Sequence, residues 1–279
     1  MKTVDSIADA RAWHRAEADV GLVPTMGFLH DGHLALVRRA REECERVAAS
    51  IFVNPSQFNR AADLESYPRD LERDLALLEE EGCDLAFLPP AAEIYPPGFQ
   101  TWVAPGPVAA PNEGAHRLGH FRGVATVVLK LFNIFQPRRA YFGQKDAQQL
   151  AVIRTLCRDF DLPVEVVGVE TVRESDGLAM SSRNALLSAS DRRAAAVLYR
   201  ALRGARHAWS AGERRAGELL SRMRRVLAGE PEVRLDYLSV ADPETFAELD
   251  TVRGRAVLSL AAFVGPARLI DNILIEESD

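Results

Sequence analysis

Short apolar runs alternate with helical patterns along the first two-thirds of the chain. A short continuous apolar run is typical of a buried strand, and an apolar position every three or four residues is typical of a helix. The pattern predicts strands at residues 20–23, 47–53, 84–88, 140–143 and 164–169. It predicts helices at 1–15, 34–45, 68–82 (with Pro68 in the first turn), 121–135 and 148–160. This alternation predicts an α/β fold with a Rossmann-like, doubly wound parallel sheet.

The pattern changes after residue 171. A polar turn at 174–177 leads into a Ser/Arg/Asn segment, and a long helical region follows at 190–227. Two further strands are predicted at 235–240 and 256–263. We therefore expect two domains, a Rossmann-like domain over 1–171 and a smaller C-terminal α+β domain over 172–279.

Composition and charge narrow the class of protein. The chain is 47% hydrophobic and 27% charged, which is ordinary globular composition, and its formal net charge is -6. A negative chain has no general attraction for nucleic acid, and no apolar run approaches the roughly 20 residues that span a bilayer. Three widely spaced cysteines form neither a disulfide framework nor a zinc spacing, which suits a reducing cytoplasm. We expect a cytoplasmic enzyme of small molecules, without nucleic-acid or membrane partners.

The turn after the first buried strand carries candidate chemistry. Thr25 and Gly27 allow a tight turn, and the helix that follows points its positive N-terminus at this edge of the sheet. His30 and His33 lie one helical turn apart, so both rings can face the same phosphate. The alternatives are a surface turn with two solvated histidines or a zinc site. The zinc alternative is weaker, because no further ligands stand at metal spacing.

Four other segments mix polar side chains with turns. Lys145 can neutralise a phosphate, although the same turn suits a solvated helix start with Asp146 as the cap. The serines and arginine at 181–183 can bind phosphate or form an ordinary polar loop. The amides at 54–57 suit a ligand with hydroxyl and carboxylate groups or a simple turn, and the segment 119–123 is either cationic ligand chemistry or a helix start. The common glycine-rich phosphate fingerprints are absent from the sequence.

Taken in order, these segments resemble the pantothenate synthetases (pantoate–β-alanine ligases) of the nucleotidyltransferase superfamily. The residues that carry the resemblance are 23–27, 29–33, 50–55, 57–58, 67–69, 93–96, 119–124, 142–143, 145–146, 148–150, 176–178, 181–184 and 267–272. Gln144 stands where the family often has Glu, and Ser56 stands where another residue is common. Neither departure removes a charge-neutralising group or a substrate amide.

The resemblance implies an ATP-dependent ligase that condenses (R)-pantoate with β-alanine, giving pantothenate, AMP and diphosphate through a pantoyl adenylate. It also implies Mg²⁺ as cofactor, a C-terminal domain that acts as a lid, and a homodimer.

The same resemblance implies the site residues. His30, His33 and Lys145 are catalytic, with His33 the preferred donor. The ATP-binding residues are Met26, Gly27, Phe28, Leu29, His30, Asp31, Gly32, His33, Gly143, Gln144, Lys145, Asp146, Val172, Met180, Ser181, Ser182 and Arg183. The residues that bind pantoate and β-alanine are Gln57, Gln149, Asn54 and Tyr67. Asp74 is the implied carboxylate partner of Mg²⁺.

Two rival functions share part of this pattern. A nucleotidylyltransferase that stops at a stable nucleotidyl product would share the two histidines, but Gln57 and Gln149 favour binding of a small acid. A nucleotide-sensing protein without turnover would not need the full set of phosphate-neutralising residues.

Overall fold

The structure is a computed structural model that describes residues 1–277. The chain divides into two compact units, and each takes residues from two stretches of sequence. The first unit contains Met1–Gly143 and Val152–Glu170, and the second contains Gln144–Ala151 and the chain from Thr171 onward. We expected a single domain boundary at 171/172. In the structure the second unit begins at Thr171 and also includes the eight earlier residues Gln144–Ala151.

The first unit is built on a six-stranded, entirely parallel sheet. Its strands are β1 Lys2–Val4, β2 Val20–Thr25, β3 Arg46–Ile51, β4 Leu85–Phe87, β5 Arg139–Gly143 and β6 Glu165–Val169. Their order across the sheet is β1-β4-β3-β2-β5-β6, so the direction of winding reverses between β2 and β5. Ligands of open α/β sheets bind at the carboxyl ends of the strands at such a reversal. The prediction of a Rossmann-like parallel sheet is confirmed.

Helices connect these strands. They are α1 Ile7–Arg15, α2 Asp31–Glu43, α3 Ala61–Glu65, α4 Leu71–Glu80, α5 Ala91–Ile94, α6 Glu113–His116, α7 His120–Phe135 and α8 Ala147–Asp159. In α2, Leu34, Val37 and Ala40 recur at helical spacing and are buried in one cluster with Val23 and Val47 of the sheet. This packing fixes the direction in which α2 leaves the end of β2.

Three predicted helix starts were wrong. The helix predicted from residue 34 begins at Asp31, where His30 is the N-cap. The expected N-terminal helix begins only at Ile7, because Lys2 to Val4 pair with β4 as an edge strand. The helix predicted to begin with Pro68 starts at Leu71, because the side chain of Asp70 accepts a hydrogen bond from the backbone of Arg73 at 3.2 Å and caps the helix there.

The second unit has a three-stranded antiparallel sheet covered by helices. The strands are β7 Val233–Ala241, β8 Arg255–Val264 and β9 Ala267–Glu276, and the helices are α9 Ala189–Ala195, α10 Val197–Ser210 and α11 Ala216–Leu227. Leu198, Leu202, Leu219 and Met223 pack against the sheet in a separate buried cluster. The single helical region predicted at 190–227 is therefore three helices, and β9 was missed. Within residues 1–277, no helix is long and apolar enough to cross a membrane.

The three cysteines are free and buried. Burial raises the pKa of the Cys83 thiol to about 12 and that of Cys157 to about 11. Because the thiolate is the nucleophile, we expect both thiols to react with iodoacetamide at pH 8 on the order of 100-fold more slowly in the native protein than in denaturant. Counting the added groups by mass spectrometry tests this, and rapid labelling of Cys83 or Cys157 in the native protein would contradict it.

Candidate active site

The turn between β2 and α2 has a strained, closely packed backbone. Gly27 has φ +80° and Phe28 has φ +51°, both in the left-handed region. A Cβ at Gly27 would lie 2.9 Å from Cγ2 of Ile51, so only glycine fits. Thr25 closes the strand end, since its hydroxyl donates to the carbonyl of Ser50 at 2.7 Å and accepts from the amide of Gly27 at 3.2 Å.

The carboxylate of Asp74, in α4, binds the backbone of this turn. Its two carboxylate oxygens accept hydrogen bonds from the backbone amides of Phe28 at 2.6 Å and Leu29 at 2.7 Å, and the residue is 1% exposed. The neighbouring Arg73 donates from Nη1 to the carbonyl of Leu29 at 2.9 Å. Hydrogen bonds to a charged acceptor are stronger than those to a neutral one, and they offset the cost of burying the charge. The structure therefore shows Asp74 engaged with the backbone of the turn.

The two histidines cap α2 reciprocally. Nδ1 of His30, the N-cap residue, accepts from the amide of Gly32 at 3.2 Å, and Nδ1 of His33 accepts from the amide of His30 at 3.3 Å. Their ring centroids are 4.1 Å apart, and both residues are half-buried. A ring that accepts at Nδ1 carries its proton on Nε2, so in this arrangement each Nε2 is a donor. Asp31 is the first residue of the helix and is exposed.

A second turn, after β3, presents Gln57. Nε2 of Gln57 donates to Sδ of Met26 at 3.0 Å, and its Oε1 accepts from Nδ2 of Asn54 at 3.0 Å. Asn54 is 1% exposed, and its amide also bonds Ser56, Tyr95 and the carbonyl of Gly123. The turn after β3 thus brings Gln57 to the residue that opens the histidine turn, and the amide of Asn54 fixes its orientation.

The start of α7 supports Gln57 from another direction. Nδ1 of His120 lies 3.0 Å from the backbone oxygen of Gln57, and a Cβ at Gly123 would lie 2.5 Å from the backbone oxygen of Ser56. Because Gly123 has no Cβ, the turn after β3 can pack directly against α7. Tyr67 packs edge-on against Phe58, with ring centroids 5.7 Å apart. In the sequence, His120 and Gly123 belong to the segment 119–123, which we interpreted either as a ligand-binding motif or as a simple helix start.

Lys145 lies in the second unit, on a one-turn 3-10 helix at Gln144–Asp146 that directly precedes α8. Its Nζ is 3.7 Å from Oδ1 of Asp146. Nδ2 of Asn272 donates to the backbone oxygens of Gln144 at 3.0 Å and Lys145 at 2.8 Å. Gln149 follows on the first turn of α8 and is half-buried. Asn272 holds this turn from a strand that the sequence did not predict.

The segment from Val172 to Arg183 forms a short hairpin followed by a 3-10 helix. The amide of Met180 donates to the carbonyl of Val172 at 3.0 Å. Ser181 caps the 3-10 helix Ser182–Leu186, since its hydroxyl accepts from the amide of Arg183 at 3.2 Å. Ser182 is buried, and Arg183 is half-buried. The two serines and the arginine therefore lie together at the start of one helical turn.

The predicted site residues thus fall into two groups. The first unit contains Met26, Gly27, Phe28, Leu29, His30, Asp31, Gly32, His33, Asn54, Gln57, Tyr67, Asp74 and Gly143. The second contains Gln144, Lys145, Asp146, Gln149, Val172, Met180, Ser181, Ser182 and Arg183. In the first unit the hydrogen bonds above connect most of these residues. In the second unit they connect Val172 with Met180 and Ser181 with Arg183, and Asn272 binds the backbone of Gln144 and Lys145.

A parallel sheet that reverses its winding beside a histidine-capped helix is typical of the Rossmann-like class of nucleotide-binding α/β proteins. A family model described as Pantoate-beta-alanine ligase matches residues 1–274. The chain belongs to the pantoate–β-alanine ligase family, and the resemblance seen in its motifs is confirmed.

Individual relatives agree with this assignment. A pantothenate synthetase of Roseiflexus sp. (strain RS-1) is 57% identical over 277 residues, covering 99% of this chain and 100% of that protein. The crystal structure of pantothenate synthetase from Thermus thermophilus matches with a TM-score of 0.94 at 53% identity, covering 98% of this chain and 99% of that one. A pantoate-beta-alanine ligase from Francisella tularensis, complexed with beta-gamma ATP and β-alanine, matches with a TM-score of 0.81 at 34% identity and covers 98% and 97%.

Proposed function

We propose that this chain condenses (R)-pantoate with β-alanine, using ATP, to give pantothenate, AMP and diphosphate. The observation that carries the proposal is the 3.0 Å hydrogen bond from Gln57 to Met26. It places an amide suited to hydroxyl and carboxylate groups beside the turn whose histidines and helix N-terminus suit phosphate. The family match and the ATP and β-alanine of the Francisella relative support the same reaction.

The reaction has two displacement steps. First, a carboxylate oxygen of pantoate attacks the α-phosphorus of ATP, the bond to the bridging oxygen breaks, and diphosphate leaves. Then the amine of β-alanine attacks the carbonyl carbon of the pantoyl adenylate, AMP leaves with the oxygen that came from pantoate, and the amine releases its proton. Both steps depend mainly on positioning and on stabilising charge at the phosphate.

The chain's own residues supply that stabilisation. His30 and His33 would donate from Nε2 to phosphate oxygens, because their Nδ1 atoms already accept backbone amides. We give His33 the main role, as donor to the charge that develops when diphosphate leaves. Lys145, Ser181, Ser182 and Arg183 would bind the phosphates, the arginine with a planar fork of donors.

The other predicted residues would contact pantoate, β-alanine and the nucleotide. Gln57 and Gln149 would bind the hydroxyls and carboxylate of pantoate, and Tyr67 would face β-alanine. Asn54 is buried with its amide bonded inside the protein, which favours orienting Gln57 over touching substrate. The nucleotide would contact the remaining predicted residues partly through backbone groups. These residues are Met26, Gly27, Phe28, Leu29, Asp31, Gly32, Gly143, Gln144, Asp146, Val172 and Met180.

The contacts of Asp74 favour a role in positioning the histidine turn over the expected role of magnesium ligand. Both of its oxygens accept short hydrogen bonds from backbone amides of that turn. Magnesium is usually held by one or two carboxylates together with substrate phosphates and water. We therefore propose that any Mg²⁺ arrives with ATP and that Asp74 positions the histidine turn.

Replacing Asp74 by asparagine separates these two roles. Asparagine keeps one acceptor but turns an amide group toward the second backbone donor, so we expect a loss of about 2 kcal/mol of unfolding free energy and about tenfold in kcat/KM. The Mg²⁺ concentration for half-maximal rate is expected to stay the same. Activity titrations and urea unfolding measure these quantities. A large rise in the required Mg²⁺, with stability unchanged, would restore Asp74 as a metal ligand.

The reaction itself is tested by isotope exchange. Labelled diphosphate is expected to enter ATP when pantoate is present and β-alanine is absent. Adding β-alanine is expected to yield AMP and pantothenate. Exchange without any acid, or a nucleotide product other than AMP, would favour a nucleotidylyltransferase, and binding without exchange would favour a nucleotide sensor.

The family resemblance also leads us to propose a homodimer in the cytoplasm. Light scattering during size-exclusion chromatography tests the first point, and twice the mass of one chain is the expected result.

A further inference from the structure

Two adjacent polar residues are buried in the middle of β9. Asp271 is 2% exposed and Asn272 is 4% exposed, while Leu269, Ile273 and Ile275 of the same strand enter the hydrophobic cluster. Burying an amide or a carboxylate costs free energy unless hydrogen bonds replace water. The hydrogen bonds of Asp271 and Asn272 therefore indicate which contacts offset the cost of burying them.

Asn272 donates both N–H groups of its side-chain amide to the same turn. Its Nδ2 donates to the carbonyl of Gln144 and to that of Lys145, while its Oδ1 accepts no hydrogen bond from the described part of the chain. The opposite amide orientation would set an oxygen against two carbonyl oxygens. Both N–H groups of the side-chain amide therefore bind the backbone of this one turn.

Asp271 and Arg173 fix the backbone from which Asn272 reaches that turn. The guanidinium of Arg173 binds both oxygens of Asp271, at 2.7 Å and 2.9 Å, and donates to the backbone oxygen of Asn272 at 3.1 Å. Oδ1 of Asp271 also accepts the amide of Asn272 at 2.7 Å. A planar, two-bonded pair of this kind restricts orientation as well as distance. Asn272 is thus held rigidly on one side and holds the lysine turn on the other.

We propose that Asn272 is a positioning residue for the ligase reaction, which holds the backbone of Lys145 so that the ammonium group meets the phosphates of ATP. The inference rests on the proposed function, since it assumes that Lys145 binds phosphate. Asn272 would act through the turn, because its side-chain donors are bonded to the backbone oxygens of Gln144 and Lys145. A displacement of the lysine by about 1 Å is enough to cost a large part of the rate in a reaction that depends on positioning.

The test is a double-mutant cycle that measures kcat/KM for ATP in four proteins: wild type, Asn272→Ala, Lys145→Ala and the double variant. In the wild-type background we expect Asn272→Ala to lower kcat/KM roughly tenfold, because two hydrogen bonds that orient the lysine are lost. In the Lys145→Ala background we expect less than about a twofold further loss, because the group that Asn272 orients is gone. A purely structural role would lower kcat/KM equally in both backgrounds.

Ser259→Ala is the matched control, because Ser259 lies directly opposite Asn272 on β8 and is also buried. It is expected to leave kcat/KM within about twofold of wild type. If Asn272→Ala does not fold, Asn272→Ser, which keeps one donor, takes its place in the same cycle.

The outcomes separate the two claims. If Lys145→Ala leaves kcat/KM unchanged, the phosphate role of Lys145 fails and the inference fails with it. If Lys145→Ala lowers kcat/KM but the Asn272 variant acts equally in both backgrounds, or in neither, the role of Lys145 stands and its positioning by Asn272 is overturned.

Discussion

Replacing His33 by asparagine is expected to lower kcat/KM by about 100-fold to 1000-fold, the effect of removing one transition-state donor. Asparagine can place an oxygen near the position of Nδ1, so it can still accept the amide of His30 that closes the start of α2. It has no group at the position of Nε2. Steady-state kinetics and thermal unfolding together should therefore show a large loss of rate with little loss of stability.

His33→Ala is the comparison that separates capping from catalysis. It removes both the cap and the donor, so the unfolding free energy should fall by about 1 kcal/mol while kcat/KM falls about as far as in His33→Asn. If His33→Asn retains near wild-type kinetics, the histidine serves only the helix, and the donor role passes to another residue.

Replacing Lys145 by alanine is expected to lower kcat/KM on the order of 100-fold or more, because a positive charge is removed from the phosphates in the transition state. The turn should survive, since Asn272 holds backbone oxygens of residues 144 and 145, which alanine keeps. The measurement is kcat/KM for ATP at saturating pantoate and β-alanine.

Lys130→Ala provides a charge-matched control on α7, where the ammonium lies 4.9 Å from the centre of the Phe99 ring. Only Lys2, Lys130 and Lys145 are lysines in this sequence, so the comparison covers most of its lysine charge. Lys130→Ala should keep kinetics near wild type. Comparable losses in both variants would indicate an effect of total charge, and an active Lys145→Ala protein would remove Lys145 from the mechanism.

The sequence predicts best what is decided locally. The apolar runs at β2 and β3 are continuous because a parallel strand is buried on both faces, and each ends at a turn with its own polar signature. The spacing of His30 and His33 similarly fixes that they share one helical turn. These features require no knowledge of distant residues, so the fold class and the histidine turn could be predicted.

The sequence fails where a residue's role depends on a partner far along the chain. The contacts of Asp74 could not be predicted, because its hydrogen-bond donors are amides some 45 residues earlier. Asp271 and Asn272 interrupt the apolar pattern of β9, and their partners, Arg173 and the lysine turn, lie about 100 residues or more away along the chain. The edge strand β1 is three residues long and pairs with β4, which leaves almost no periodic signal.

The most direct test of the central claim follows a single oxygen atom. Pantoate labelled with ¹⁸O in its carboxylate is incubated with ATP, β-alanine and the enzyme, and the products are analysed by mass spectrometry. If the carboxylate attacks the α-phosphorus and AMP is then displaced by the amine, one ¹⁸O atom must appear in each AMP and none in diphosphate. Unlabelled AMP, or label in a phosphate released with ADP, would contradict the pantoyl adenylate.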